Sequence, residues 1–482
     1  MKAILFRTLV FTHRYIGIAI GWLMLCWCLS GLVMLYITYP ELHESERLAA
    51  LDTLEMSTCC NIPADLLDED RAVSAVVVEM FNQQPVLRVQ PDVGPTELVN
   101  LRTGERVELI DEAAALNVAR RYQINTGLRG EPRVRDLIEE SDQWTVYPRY
   151  GDYLPLYHID LNDAAGTEVY VSSVTGTVVQ KTQRMQRFWN WLGSVPHWLY
   201  FKAIRQDGAL WFQVVVWASS IGTFLTVFGL YLGVWQLRRK SDNKLHSPYR
   251  GWKYWHHVPG LLFGVMVLTW VFSGLLSMTP FSWLESAGSV QQARTLRGDL
   301  PDWKTMRQSL LQMGDATLPI ATVQVASAMF DGRLRYVTET RNGARTRLDD
   351  RWQIAPLSQL EQDRIGALLG GLHVDLMTQE DTYYYAQTGK PIILPVLRAL
   401  SDNQSSDERY YLDATTGALL SRVDAGAYWY RWLHTGLHRL DFHALLRMRP
   451  LRDILMWTLL LGASTVCLTG VWLGVRRLRG IK

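Results

Sequence analysis

Residues 256–274, HHVPGLLFGVMVLTWVFSG, form a run without Asp, Glu, Lys or Arg that is long enough to cross a bilayer, with a histidine at its mouth. The pattern occurs twice, because residues 13–31 read HRYIGIAIGWLMLCWCLSG. Each copy places Gly four and eight residues after its histidine (His13, Gly17, Gly21; His256, Gly260, Gly264) and Ser-Gly at one shared distance (Ser30-Gly31; Ser273-Gly274). A spacing of four sets the imidazole and both glycines on one helical face, a turn apart. An imidazole beside bare backbone suits a large flat ligand such as haem. The competing reading is ordinary helix packing, in which small residues four apart let membrane helices approach. Ionisable groups at membrane depth are usually functional, which favours the ligand.

Four segments can span: 15–39, 210–237, 258–283 and 454–475. Basic residues flank them on one side. Lys2, Arg7 and Arg14 lie at the start, Arg238, Arg239, Lys240, Lys244, Arg250 and Lys253 fill the loop 238–257, and Arg476, Arg477, Arg479 and Lys482 lie in the tail 476–482. The positive-inside rule puts that loop and both termini in the cytoplasm, leaving 40–209 and 284–453 outside. The first hydrophobic run, within 1–39, is too long for a cleaved signal and has no small-residue cleavage site. A hydrophobic content of 48% with a mean hydropathy near zero fits a minority of the chain in lipid. The 19 Trp suit membrane interfaces, and a net charge of +2 gives no case for nucleic acid.

The outside segments carry α/β patterns. Residues 86–89 and 97–107 read as strands, 111–122 as a helix capped by Asp111, and 153–160 and 168–179 as strands, the latter broken at Thr175-Gly176. The second half repeats the plan. EVYVSSVTGTV at 168–178 matches RYYLDATTGAL at 409–419; Trp191, His197 and Phe201 match Trp432, His438 and Phe442; and Gly229 and Gly233 match Gly470 and Gly474. These pairs share an offset of 241 residues, and the opening helices share one of 243. The expected fold is a membrane α-helical bundle of four transmembrane helices with two periplasmic α+β domains. It arises by internal tandem duplication, with a pseudo-two-fold axis along the membrane normal.

Of the 11 histidines, two sets recur across the halves: His13 with His256, and His197 with His438. A two-fold axis makes equivalent residues face each other, so each pair could hold a haem iron from both sides. Gly17, Gly21, Gly260 and Gly264 would clear space for the ring, with Gly229, Gly233, Gly470 and Gly474 at similar depth. Arg14, Lys253 and His257 would pair with its propionates. His197 and His438 would sit above the bundle among interfacial aromatics, either as ligands or as interface anchors. His434 stands one turn before His438, where the first half has Gly193, and is an alternative ligand or a substrate contact. His443 is also unmatched. His43, His158, His246 and His373 read mostly as solvated loop residues. The acidic residues Asp136, Glu139, Glu140, Asp349 and Asp350 read as solvated faces. Cys26, Cys28 and Cys467 read as small apolar residues of the spans, and Cys59-Cys60 as a local oddity that can form a strained bond. The chain has no CxxCH for covalent haem and no nucleotide-binding, nucleophile-elbow or zinc-protease motif.

The His-x-x-x-Gly helix with its Ser-Gly exit, the strand–Thr-Gly–strand ends and the Trp-Leu…His segment before a Gly-rich span resemble those of PepSY-associated transmembrane proteins. That family includes inner-membrane reductases for ferric siderophores, with four spans and b-type haems. The resemblance implies PepSY-like outer domains, two haem b groups on His13, His256, His197 and His438, and a bacterial inner-membrane location. It also implies ferric iron in a periplasmic chelate as the electron acceptor. The donor would be a separate cytoplasmic flavoprotein or a membrane quinol. Two rival readings are a membrane-anchored PepSY binding protein that restrains a peptidase, and a permease for iron or a chelate. The near absence of charge within the spans weighs against the permease.

Overall fold

A computed structural model of the chain describes residues 2–56, 59–239, 245–387, 390–400, 408–442, 445, 448 and 450–480, with the side chains of residues 2, 3 and 239 left out. Lys240, Lys244, Lys482 and His443, named above, lie outside the described residues. The chain divides into two units: one holds 1–39, 188–286 and 425–482, the other 40–187 and 287–424.

The first unit is built on four helices long and apolar enough to cross a membrane. They are α1 (Lys2–Met34), α3 (Gly208–Trp235), α4 (Trp252–Leu276) and α6 (Leu451–Leu478). Two helices differ most from the expected spans. Helix α1 begins 13 residues before the expected span, because nothing in the opening residues breaks a helix. Helix α4 begins at Trp252, after Gly251 with φ 58°, and stops before Thr279-Pro280, which disfavours helical backbone. His13 and His256 therefore lie within helices rather than at their mouths. Helix α1 packs on α3 and α6, and α4 packs on the same two, so the helices form a ring with α1 and α4 at opposite corners. Neighbours run antiparallel: Gly229 approaches His13 while Gly222 approaches Met24, and Gly470 approaches His256 while Gly462 approaches Phe263. Helix α3 also opposes α4, since Gly233 approaches Leu261 while Gly222 approaches Val271, so α1 and α4 run the same way.

The second unit contains three larger sheets. A six-stranded sheet has the order β10-β9-β8-β1-β2-β3. Its strands are β1 (Val73–Phe81), β2 (Gln84–Pro91) and β3 (Glu97–Asn100) from one half, and β8 (Thr322–Phe330), β9 (Arg333–Thr340) and β10 (Arg345–Leu348) from the other. The halves join through antiparallel pairing of β1 with β8, Val78 opposite Val325. The expected pair of separate modules is thus a single unit sharing one sheet. The joint is also polar: Arg47 bonds Glu79 on β1 and Gln324 on β8, and Arg88 holds the other Glu79 oxygen at 2.8 Å. Burial alone would raise the Glu79 carboxyl, but these two guanidinium groups hold it below its ordinary value.

Two four-stranded sheets follow the chain order. One is β4 (Arg133–Ile138), β5 (Leu156–Asp160), β6 (Glu168–Ser172) and β7 (Val178–Thr182). The other is β11 (His373–Met377), β12 (Val396–Leu400), β13 (Arg409–Asp413) and β14 (Leu419–Val423). Helix α2 (Glu112–Thr126), capped by the Asp111 carboxylate as expected, buries Ala115, Ala119 and Tyr122 on the first. Helix α5 (Gln359–Leu368) buries Ile365 on the second. The repeated Thr-Gly has a physical cause. Gly176 and Gly417 have φ of 69° and 77°, and a Cβ there would meet Phe81 or Phe330 at 3.0 Å or less. Cys59 and Cys60 are joined by a disulfide. His158 is no loop residue: it lies on β5 with Asp136 and Glu168 each 3.0 Å from a ring nitrogen.

Candidate functional site

His13 and His256 approach each other across the ring of helices, with ring centres 6.3 Å apart. His13 Nδ1 lies 3.1 Å from the Leu225 carbonyl of α3, and His256 Nδ1 lies 3.1 Å from the Val466 carbonyl of α6. A carbonyl can only accept, so Nδ1–H donates and Nε2 is left as the lone-pair nitrogen. Leu225 and Val466 are themselves 241 positions apart. Both contacts need a glycine beside the ring: a Cβ on Gly229 would stand 2.7 Å from His13 Cε1, and one on Gly470 3.1 Å from His256 Cε1.

A cavity of about 900 Å³ opens between these rings, within the size range of cofactor sites. Gly17, Gly21, Gly260 and Gly264 line it, together with Gly229, Gly233, Gly470 and Gly474. The glycines divide by role. Gly17, Gly21 and Gly260 would meet nothing closer than 3.6 Å if given a Cβ, so helix packing does not require them bare. Gly264 differs, since its Cβ would lie 2.8 Å from Leu230, a close approach of α3 to α4. Arg14, Arg250, Lys253, Arg476 and Arg477 also line the cavity, and among the described residues its lining contains no Asp or Glu. Arg14 and Lys253 have no protein partner among the described residues. His257 fits the propionate role poorly, because Ser247 Oγ at 2.8 Å and the Gly233 carbonyl at 2.9 Å occupy both its nitrogens.

His197 and His438 form a second facing pair, with ring centres 6.0 Å apart. His197 Nδ1 contacts the Trp27 carbonyl at 3.1 Å and Ser30 Oγ at 2.9 Å; His438 Nδ1 contacts the Trp270 carbonyl at 3.2 Å and Ser273 Oγ at 3.0 Å. Each serine hydroxyl donates to the same tryptophan carbonyl at 3.1 Å, so the Ser-Gly exits serve these rings. Gly31 and Gly274 complete the seat, with His197 Cε1 and His438 Cε1 at 3.7 and 3.6 Å from where a Cβ would be. After each histidine the backbone turns at a left-handed leucine, Leu199 with φ 53° and Leu440 with φ 47°. The histidines thus pack against α1 and α4 rather than standing clear of the bundle. His434 lies on a π-helical turn, Arg431–Gly436, with its ring centre 5.0 Å from that of His438 and Nδ1 3.0 Å from the Ser273 carbonyl. Gly193, its counterpart, could not carry a side chain without pressing Val33 at 3.0 Å.

The haem expected from the sequence can be tested against this geometry. A metal atom gripped by two imidazoles lies about 2 Å from each nitrogen and on the order of 1 Å further from each ring centre, which places the ring centres about 6 Å apart. Both pairs have that separation. Among the described residues no group of three or more His, Cys, Asp or Glu could hold a bare ion, so two imidazoles suit a metal whose other ligands come from a macrocycle. The cation-lined cavity fits acidic edge groups. Sequence reasoning passed over the cavity roles of Arg250, Arg476 and Arg477, treating them only as topology signals. It also passed over the tryptophan carbonyls, although Trp27 and Trp270 share the 243-residue offset. No curated protein matches the chain. Residues 11–473 match the family model for the PepSY-associated TM region, and the chain belongs to that family.

Proposed function

We propose that this protein is a haem b electron carrier of a bacterial inner membrane that reduces ferric iron, held in a chelate of the siderophore class, in the periplasm. The supporting observation is the doubled imidazole pair, with ring centres 6.3 and 6.0 Å apart and every Nδ1–H committed to a backbone carbonyl. Bound haem would supply one-electron chemistry, and with two imidazoles holding each iron it would favour relay over oxygen binding. His13 and His256 would hold the inner group, and His197 and His438 the outer one. Arg14 and Lys253 would bind the carboxylates of the inner group. The Nδ1 hydrogen bonds fix each tautomer and ring orientation before binding. The hydrocarbon core is about 30 Å thick, too wide for one useful hop, so two sites in series divide it.

The basic flanks support an orientation with both termini and the loop 238–257 in the cytoplasm. The sheet-bearing unit would then hold the acceptor in the periplasm. Hard-oxygen chelators prefer the harder ferric ion, so gaining one electron loosens their grip. The donor would be a cytoplasmic flavoprotein or a membrane quinol. Contacts that recur at offsets of 241 and 243 residues support a tandem duplication. The test is the dithionite-reduced spectrum and haem stoichiometry of purified protein. A b-type spectrum with two haems per chain, diminished by His13→Ala or His256→Ala, is expected. Folded protein without haem would sink the proposal and leave a membrane-anchored binding protein.

A further inference from the structure

Trp27 and Trp270 hold equivalent places on α1 and α4, 243 positions apart. Each serves the outer site through its backbone, since their carbonyls accept from His197 and His438 at 3.1 and 3.2 Å. Their side chains go elsewhere. Both pack in the apolar core of the bundle with Met24, Leu225 and Val267. Those three residues also line the cavity between His13 and His256. One residue in each half therefore meets an outer histidine through its backbone and, through its ring, joins or packs on the core that also walls the inner cavity.

The indoles carry a cost that packing does not explain. Nε1 of both is buried without a hydrogen-bond partner among the described residues, as is Nε1 of Trp303 in the other unit. A buried orphan donor forfeits its hydration, and tryptophans usually sit where that N–H finds a partner. Leucine or phenylalanine would fill an apolar core without such an orphan. Two orphans at equivalent places point to a use for the indole itself. What separates indole from phenyl, apart from the N–H, is a more electron-rich π system.

We propose that Trp27 and Trp270 are two parallel bridges for electron transfer between the inner and outer histidine pairs. This rests on the haem reading above. One electron leaves the inner site and one arrives at the outer site. Both indoles end unchanged, neither oxidised nor deprotonated, so no further oxidant or proton acceptor is needed.

The test uses full-length protein bearing Trp27→Phe, Trp270→Phe or both. Haem content and both reduction midpoints are measured on loaded protein, and the melting temperature on haem-free protein. The rate of outer-site reduction is then followed after rapid reduction of the inner site. Content and midpoints are expected to stay at wild-type values, and haem-free melting to hold or to rise as the orphan N–H is removed. Parallel bridges predict a loss of about twofold in either single variant and about tenfold in the double variant. A double variant that transfers at the wild-type rate with both haems in place overturns the bridge and leaves the haem reading standing. A drop in haem content or in haem-free melting shows a structural role and also overturns it. Wild-type protein that binds no haem overturns both.

Discussion

The inner and outer histidine pairs use one grip in two settings. In both, a backbone carbonyl orients Nδ1 and a neighbouring glycine makes room for the ring. The inner pair flanks a large cavity with five cationic residues in its wall. The outer pair is braced by serine hydroxyls and has a third imidazole, His434, on one side only. The inner surroundings are rich in cations, four of the five from the second half, and suit the acceptance of an anionic flat body. The outer surroundings are lopsided, with His434 beside His438 and Gly193 at the matching place of the other half. The grip and its setting are separable features, and substitutions can address them one at a time.

The largest effect should come from removing a ring. His13→Ala and His197→Ala should each lower haem content from two to one per chain, at different sites, so that their reduced spectra add up to the wild-type spectrum. Loss of both haems from either single variant would show that the pairs are not independent. Next come the glycines. Gly229→Ala should cost about 1–3 kcal/mol even in haem-free protein, because the new methyl would press the His13 ring. Gly17→Ala meets only ordinary contact at 3.7 Å, so haem-free stability should stay within about 0.5 kcal/mol while haem binding weakens. Equal behaviour of the two variants, read by thermal melts and haem titration, would remove the distinction drawn between packing glycines and cavity glycines.

A smaller effect should follow Ser273→Ala. The Trp270 carbonyl still orients His438, so beside the serine's own bond to that carbonyl the ring loses one hydrogen bond of about 1 kcal/mol, equivalent to roughly 40 mV in a one-electron midpoint. The outer midpoint should move and the inner should not. The smallest effect lies in the sheet-bearing unit and serves as a control on both sites. Burial would lower the His158 pKa, but the hydrogen bond to Glu168 and the charge of Asp136 raise it above its ordinary value of 6.5. A raised folded pKa stabilises fully below the unfolded value and is lost as pH climbs through the folded one. Melting of this unit should therefore decline from pH 6.5 upward, and His158→Gln should flatten that slope. A slope unchanged in the variant would assign the decline to another group.

The membrane helices and the facing histidines were legible because their signals are local or repeated. A long uncharged run needs no partner to be recognised, and His13 and His256 sit in the same sentence of sequence written twice. The outer pair was legible only as a recurrence. Its seat depends on Leu199 and Leu440 adopting left-handed backbone, which no leucine advertises. The six-stranded sheet was not legible. Strand β1 at Val73–Phe81 finds its partner about 250 residues away at Thr322–Phe330, and neither segment encodes the other. His158 was misread for the same reason, since its two carboxylates arrive from neighbouring strands.

The seam at Val78 and Val325 has a consequence for any shortened version of this chain. With either half removed, β1 or β8 would be an open border, its amide and carbonyl groups bare along one flank. A lone half could recover the missing contacts by adopting a second lone half, edge to edge.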